Sequence, residues 1–212
     1  MSVVTGRPST DRVILRDVSW ETYERLLEDL KSRSSPRIAY DQGVLEIKSP
    51  HFEHEGANLV LAAIVDIALE ELNFDFAPAG STTFKREALK RGFEPDSSFY
   101  IRNAERVRGK KKLDMEVDLP PDLLIEIDLT NDSLDKFPLY AALGVQEVWR
   151  YEDTLEIWIL DQDRYVQRHA SVALPILNDK LICDLMESSI TMKRPAWLRQ
   201  TRRQIRALIG QI

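Results

Sequence analysis

The chain has 212 residues, 43% of them hydrophobic and 30% charged, with a formal net charge of −6. That composition buries a core and excludes a disordered chain, and its acidic balance argues against indiscriminate nucleic-acid binding. No apolar run approaches the roughly 18–20 residues of a membrane span, and the stretch MSVVTGRPSTDR has no apolar signal segment. The single cysteine, Cys183, excludes an intrachain disulfide and, with only three histidines, argues against a structural zinc site. A reducing, cytoplasmic setting is expected, with Cys183 as a small apolar filler.

Ser19 precedes a helical pattern, predicting a helix over about 19–33. PRIAYDQGVLEIKSP predicts a hairpin turning at Asp41-Gln42-Gly43, and HFEHEGANLVLAAIVDIALEELN a long helix. Its His54-Glu55 begins the zinc-protease pattern H-E-x-x-H, but Asn58 ends it. Two further strands are expected around 81–86 and 96–101, then a polar excursion, then a strand near 122–130. Pro138 is tolerated only in a first turn, so the next helix starts around Asp135 and closes at Gly144. A strand from about Val148, strands around Asp161-Gln162-Asp163 and a basic last helix complete the chain. With no repeat and no linker, this order predicts one α/β domain over 1–212, a mixed β-sheet flanked by helices. Its core is expected over about 15–165, with C-terminal strands and the basic helix over 166–212.

Two segments are basic. Between Lys85 and Lys112, ten Lys or Arg face four acids, and after Glu187 there are arginines and lysines but no acids. These are either phosphate-binding surfaces, with Lys110, Lys111 and Lys112 as candidate DNA contacts, or solvated faces paired with acids elsewhere.

Three polar groups stand out. Alternation over PPDLLIEIDLT places Glu126 and Asp128 on one face of a strand surrounded by apolar residues, where carboxylates need a basic partner or a metal ion. Asp96 opens a strand after Pro95, and Lys136 sits in a helix's first turn, where the dipole disfavours a cation by about 0.3–1 kcal/mol. Asp122 lies four residues from Glu126, ~13 Å on an extended strand, and is read as a turn residue.

A Pro-Asp at a strand start, a second strand carrying Glu and a lysine shortly after resemble the PD-(D/E)XK nuclease superfamily. SPHFEHE at 49–55, GFEPD at 92–96 and Asp135, Lys136, Tyr140, Gly144, Val145, Glu147 and Trp149 are similar to its bacterial restriction-endonuclease branch, long called a domain of unknown function. The resemblance spans about residues 15–165 and implies a restriction-endonuclease-like fold. It also implies that Asp96 and Glu126 bind Mg²⁺ or Mn²⁺ for DNA hydrolysis, and that His54 or Glu55 borders the site. The superfamily's lysine follows the Glu by two residues; here that slot holds Asp128, and the resemblance points to Lys136 as the displaced ammonium. A homodimer is expected because symmetric oligomers are common. The rival expectations are a nuclease-like fold kept only for nucleic-acid or protein binding, and an unrelated α/β scaffold whose acids pair with Lys or Arg.

Overall fold

The structure is a computed structural model, and it describes residues 11–31, 36–128 and 135–210. The α/β fold expected is present, with its strands divided between two sheets, of which the second is mixed, parallel between residues 123–127 and 147–151 and antiparallel elsewhere. The first is built from β1 (Asp11–Leu15), β2 (Arg37–Asp41), β3 (Val44–Ser49), β5 (Phe84–Arg86) and β6 (Arg91–Phe93), in the order β1-β3-β2-β6-β5. The second contains β4 (Ala77–Pro78), β7 (Ser97–Tyr100), β8 (Leu123–Ile127), β9 (Glu147–Tyr151), β10 (Leu155–Asp161) and β11 (Arg164–Arg168), in the order β11-β10-β9-β8-β7-β4.

The β2–β3 hairpin turns on Gln42 (φ 47°) and Gly43 (φ 101°), both left-handed, as a two-residue turn that follows strand twist requires. Helix α1 (Trp20–Leu30) begins at Ser19, whose hydroxyl accepts the Thr22 N–H, and its Trp20 and Tyr23 pack on Ile38, Tyr40 and Leu45. That leaves the opposite face of the first sheet for Arg12, Ala39, Glu46, Lys48 and Phe93, which cross-strand register aligns. Helix α2 (Phe52–Glu71) packs Leu61, Ile64 and Leu69 against Ile125, Ile127 and Trp149 of the second sheet.

The odd positions of β8 thus face α2, while Leu124 packs with Phe84, Phe93 and Tyr140 on the other side. Glu126, two residues on, shares the face of Leu124 and looks toward the first sheet. Strand β9 runs parallel to β8 and is reached through α4 (Phe137–Leu143), which ends at Gly144 with φ 81°. Pro138 lies in the first turn of α4 as expected, but the helix starts at Phe137 rather than around Asp135, which leaves Lys136 at the N-cap position instead of inside the first turn.

Several expectations need correction. Strands β1, β4 and β6 are short and escape periodicity; the strand expected over 81–86 is only Phe84–Arg86. The polar excursion contains a one-turn helix, α3 (Ala104–Val107). The described residues from 166 to 210 carry the end of β11, followed by α5 (Asp179–Thr191) and α6 (Arg194–Ile209), in place of the further strands expected. Asn178 caps α5 by accepting the Leu181 N–H at 2.8 Å. Residues 32, 33, 129 and 130, where the first helix and the acidic strand were expected to end, lie outside the described residues. No described helix is long and apolar enough to cross a membrane.

Candidate active site

The inner faces of β3 and β8 meet in a cleft of about 230 Å³. Arg12, Lys48, Glu126, Asp128, Lys136 and Tyr140 line it, and Arg150 and Glu152 lie at its edge on β9 and just beyond. Asp96 stands immediately behind, almost fully buried. Its Oδ2 accepts the Ile127 N–H at 2.8 Å and lies 3.2 Å from His54 Nε2 and 3.7 Å from Lys48 Nζ. The Asn58 side-chain amide donates to the Asp96 carbonyl at 3.1 Å, fixing the turn into β7. The backbone of β8 thus joins the two acids: Ile127, the residue after Glu126, holds the Asp96 carboxylate.

Glu126 is clamped at both oxygens. The Tyr140 hydroxyl donates to Oε1 at 2.5 Å, and Lys136 Nζ stands 3.5 Å from Oε2. Burial raises the Glu126 carboxyl above its ordinary value; Lys136 opposes that shift and the Asp96 charge adds to it. Asp96 is also desolvated, but Lys48, His54 and the Ile127 N–H outweigh burial and hold it below the usual range. Burial alone would lower the Lys136 ammonium, yet Glu126, Glu46 and Asp96 together raise it, so it stays charged.

The alternation of Glu126 and Asp128 places both on the cleft, and Arg12 is a basic partner of Asp128, with Nη2 3.6 Å from Oδ1. His54 also reaches the site: its Nε2 lies 2.8 Å from the Ile127 carbonyl oxygen. Glu55 does not; it turns toward Arg37 at 3.6 Å and is absent from the cleft lining. Lys110, Lys111 and Lys112 line a separate depression of about 1030 Å³ with Phe76, Ala77 and Tyr100, sharing no residue with the cleft. Asp122 has the turn role expected, with Oδ2 accepting the N–H groups of Ile101 (2.7 Å) and Asn103 (3.2 Å). The C-terminal arginines are partly paired within the fold: Arg202 with Glu70 and Glu71, and Arg206 with Glu71.

Sequence reasoning missed Lys48, Glu46 and Arg12. Lys48 Nζ donates to the Ile127 carbonyl at 2.7 Å, while Glu46 Oε1 lies 3.3 Å from Lys136 and its Oε2 3.5 Å from Arg12 Nε. The signal was present in VLEIKS: Glu46 and Lys48 alternate with Leu45 and Ile47, as Glu126 and Asp128 do with Ile125 and Ile127.

A two-sheet cleft lined by a mid-strand glutamate and converging lysines, with a Pro-Asp aspartate directly behind it, is the arrangement of a nuclease-like fold. The chain belongs to the Uma2 family, described as "Putative restriction endonuclease", whose match covers residues 20–185. Among solved structures, it is similar to one described as a "putative nuclease belonging to DUF820" from Anabaena variabilis. Their identity is 15% and the TM-score 0.52, over 80% of this chain and 99% of that one, a likeness of fold. No curated protein matches.

Proposed function

We propose that the protein is a divalent-metal-dependent DNA endonuclease whose site is the cleft between β3 and β8. The observation that carries this reading is a pair of desolvated carboxylates at one end of β8: Glu126 lines the polar cleft, and Asp96, held by the Ile127 N–H, stands directly behind it. Lys48 and Lys136 stand beside them without abolishing their mutual repulsion, which is part of what raises the Glu126 carboxyl. Desolvated like charges held together favour a bound cation.

The donor chemistry fits Mg²⁺ or Mn²⁺, which take carboxylate oxygens and keep several waters. Asp96 and Glu126 are the residues that would hold it; Asp96 Oδ1 accepts no hydrogen bond among the described residues. The Ile127 carbonyl, between the two acids, already has Lys48 and His54 as partners, which makes it a poor third ligand. Among the described residues no group of three or more His, Cys, Asp or Glu is arranged to hold a metal; an ion held by Asp96 and Glu126 would take waters for the rest of its shell. When bound, the ion would acidify a water and offset charge on the phosphate.

Hydrolysis joins the water oxygen to phosphorus and breaks one bridging P–O bond, with one water proton ending on the departing alcohol. Lys136 holds Glu126 in place and offsets negative charge beside the attacking water. Tyr140 fixes the second oxygen of the same carboxylate. A second copy of the chain would bring a second site to the opposite DNA strand.

A second reading, a non-catalytic nucleic-acid-binding module, is favoured by Asp128 in the lysine slot and its pairing with Arg12. Incubating the wild type with duplex DNA and Mg²⁺ or Mn²⁺, against a chelator control, separates the two. Ion-dependent strand scission supports the enzyme; binding without scission under either ion supports the module.

A further inference from the structure

Lys48 and Lys136 both reach the cleft, but their surroundings differ. Lys136 Nζ lies between two carboxylate oxygens, 3.3 Å from Glu46 and 3.5 Å from Glu126, which together neutralise it. Among the described residues, Lys48 Nζ has one hydrogen bond, to the uncharged Ile127 carbonyl. Its carboxylate neighbour, Asp96 Oδ2, is 3.7 Å away, beyond hydrogen-bond reach, and already holds the Ile127 N–H and stands beside His54. An ammonium has three N–H donors. The Lys48 side chain is 4% exposed and lines the cleft, so it brings a desolvated charge with donors to spare to a polar opening. A desolvated cation in that state is a strong site for a phosphoryl oxygen.

Its place in the fold points the same way. Glu46-Ile47-Lys48 on β3 faces Glu126-Ile127-Asp128 at the end of β8, and the two strands contribute complementary halves of one polar cluster. The glutamate of each strand contacts Lys136. Two residues after each glutamate, the β8 side offers an acid tied to Arg12 and β3 offers a lysine.

We propose that Lys48 is the phosphate-contacting lysine of this cleft: its ammonium donates to a non-bridging oxygen of the scissile phosphate and stabilises the charge gathering there. It does so from β3, across the sheet interface, in place of the lysine that the β8 side lacks at Asp128. No proton leaves the ammonium in this role. The proposal rests on the hydrolytic reading above, and goes beyond it in naming the group that touches the substrate.

The test uses the full-length protein, duplex DNA and Mn²⁺, with Lys48→Met and Lys48→Ala. Cleavage by Lys48→Met is expected to fall about 10²- to 10³-fold, the usual loss when one preorganised donor is removed. Mn²⁺ affinity measured by calorimetry should hold or tighten, because a cation beside Asp96 is gone. Propylamine, which restores the ammonium beyond the Cβ of Lys48→Ala, should recover cleavage in proportion to its concentration. Wild-type cleavage by Lys48→Met would overturn the assignment. So would loss of Mn²⁺ binding together with cleavage and no recovery with propylamine, or melting of both variants below the assay temperature; each would make Lys48 a structural pin. A wild type that cuts no DNA with either ion would instead overturn the hydrolytic reading, and this one with it.

Discussion

Lys136 Nζ lies 3.5 Å from Glu126 Oε2, tying the N-cap of α4 to the strand that carries the candidate metal-binding glutamate. This pairing reverses an expectation drawn from the helix dipole. A lysine at the start of an isolated helix costs a fraction of a kcal/mol, so its removal there is neutral or mildly stabilising. Here it also meets Glu46, and both acids are nearly buried. Removing one partner of a buried ion pair leaves an uncompensated charge, a cost of about 3–5 kcal/mol. Lys136→Met should therefore lower the melting temperature clearly in thermal denaturation. Cleavage should fall by roughly 10²-fold, about 2.7 kcal/mol of transition-state stabilisation, as Glu126 loses its support. An unchanged melting temperature would show that the pair is not formed in solution.

Tyr140→Phe removes a hydroxyl without changing the ring that packs edge-on against Phe93 at 4.7 Å between centroids. Glu126 Oε1 then loses its 2.5 Å donor in a buried setting. A hydrogen bond to a charged group contributes about 1.5–3 kcal/mol, and a loss in that range is expected in denaturant unfolding. A loss below ~0.5 kcal/mol would mean that water replaces the phenol.

What the sequence made legible here is local. Asp96 follows a proline at a strand start, Glu126 interrupts an apolar strand, and Lys136 precedes a helix fixed by Pro138. Each signal lies within a few residues, and the structure gathers all three around one cleft. Lys48, Glu46 and Arg12 join them only because the first sheet docks on the second. That docking is set by distant apolar residues such as Phe84, Phe93 and Leu124, so no spacing along the chain reports it. The division into two sheets was hidden for the same reason, since alternation marks strands without naming their neighbours. The α5 helix, by contrast, was expected as part of the C-terminal strands although its signals are ordinary ones: Asn178 at its cap and Ile182, Leu185 and Met186 at helical spacing.

The basic depression beside α3 gives a separate test. Lys110 is paired with Asp118, while Lys111 and Lys112 are exposed at its rim. Changing all three to Gln should weaken DNA binding across sequences and reduce the slope of log affinity against log salt by about 1 for each phosphate no longer neutralised. An unchanged slope in a filter-binding or anisotropy titration would mark this segment as a solvated loop.

Glu94 supplies a pH dependence remote from the cleft. Burial raises its carboxyl above the ordinary value of 4.5, opposed by the Thr83 hydroxyl, the Ile38 N–H and Arg37. A carboxyl raised by folding favours the folded state most at low pH, and that contribution is lost as pH rises through its folded value. Glu94→Gln can still accept the Ile38 N–H, and Thr83 can turn to accept from the new amide. The melting temperatures of variant and wild type should converge near about pH 4 and diverge in favour of Gln toward about pH 7. A constant difference across that range would contradict the raised value.

The most direct test of the central claim is a calorimetric titration of Mn²⁺ into the wild type, Asp96→Asn and Glu126→Gln, each first shown to be folded by its melting transition. If Asp96 and Glu126 jointly hold the ion, the wild type binds Mn²⁺ in the cleft and each variant loses at least about tenfold in affinity, about 1.4 kcal/mol. Equal Mn²⁺ affinity in all three proteins, or no binding by the wild type, would contradict it.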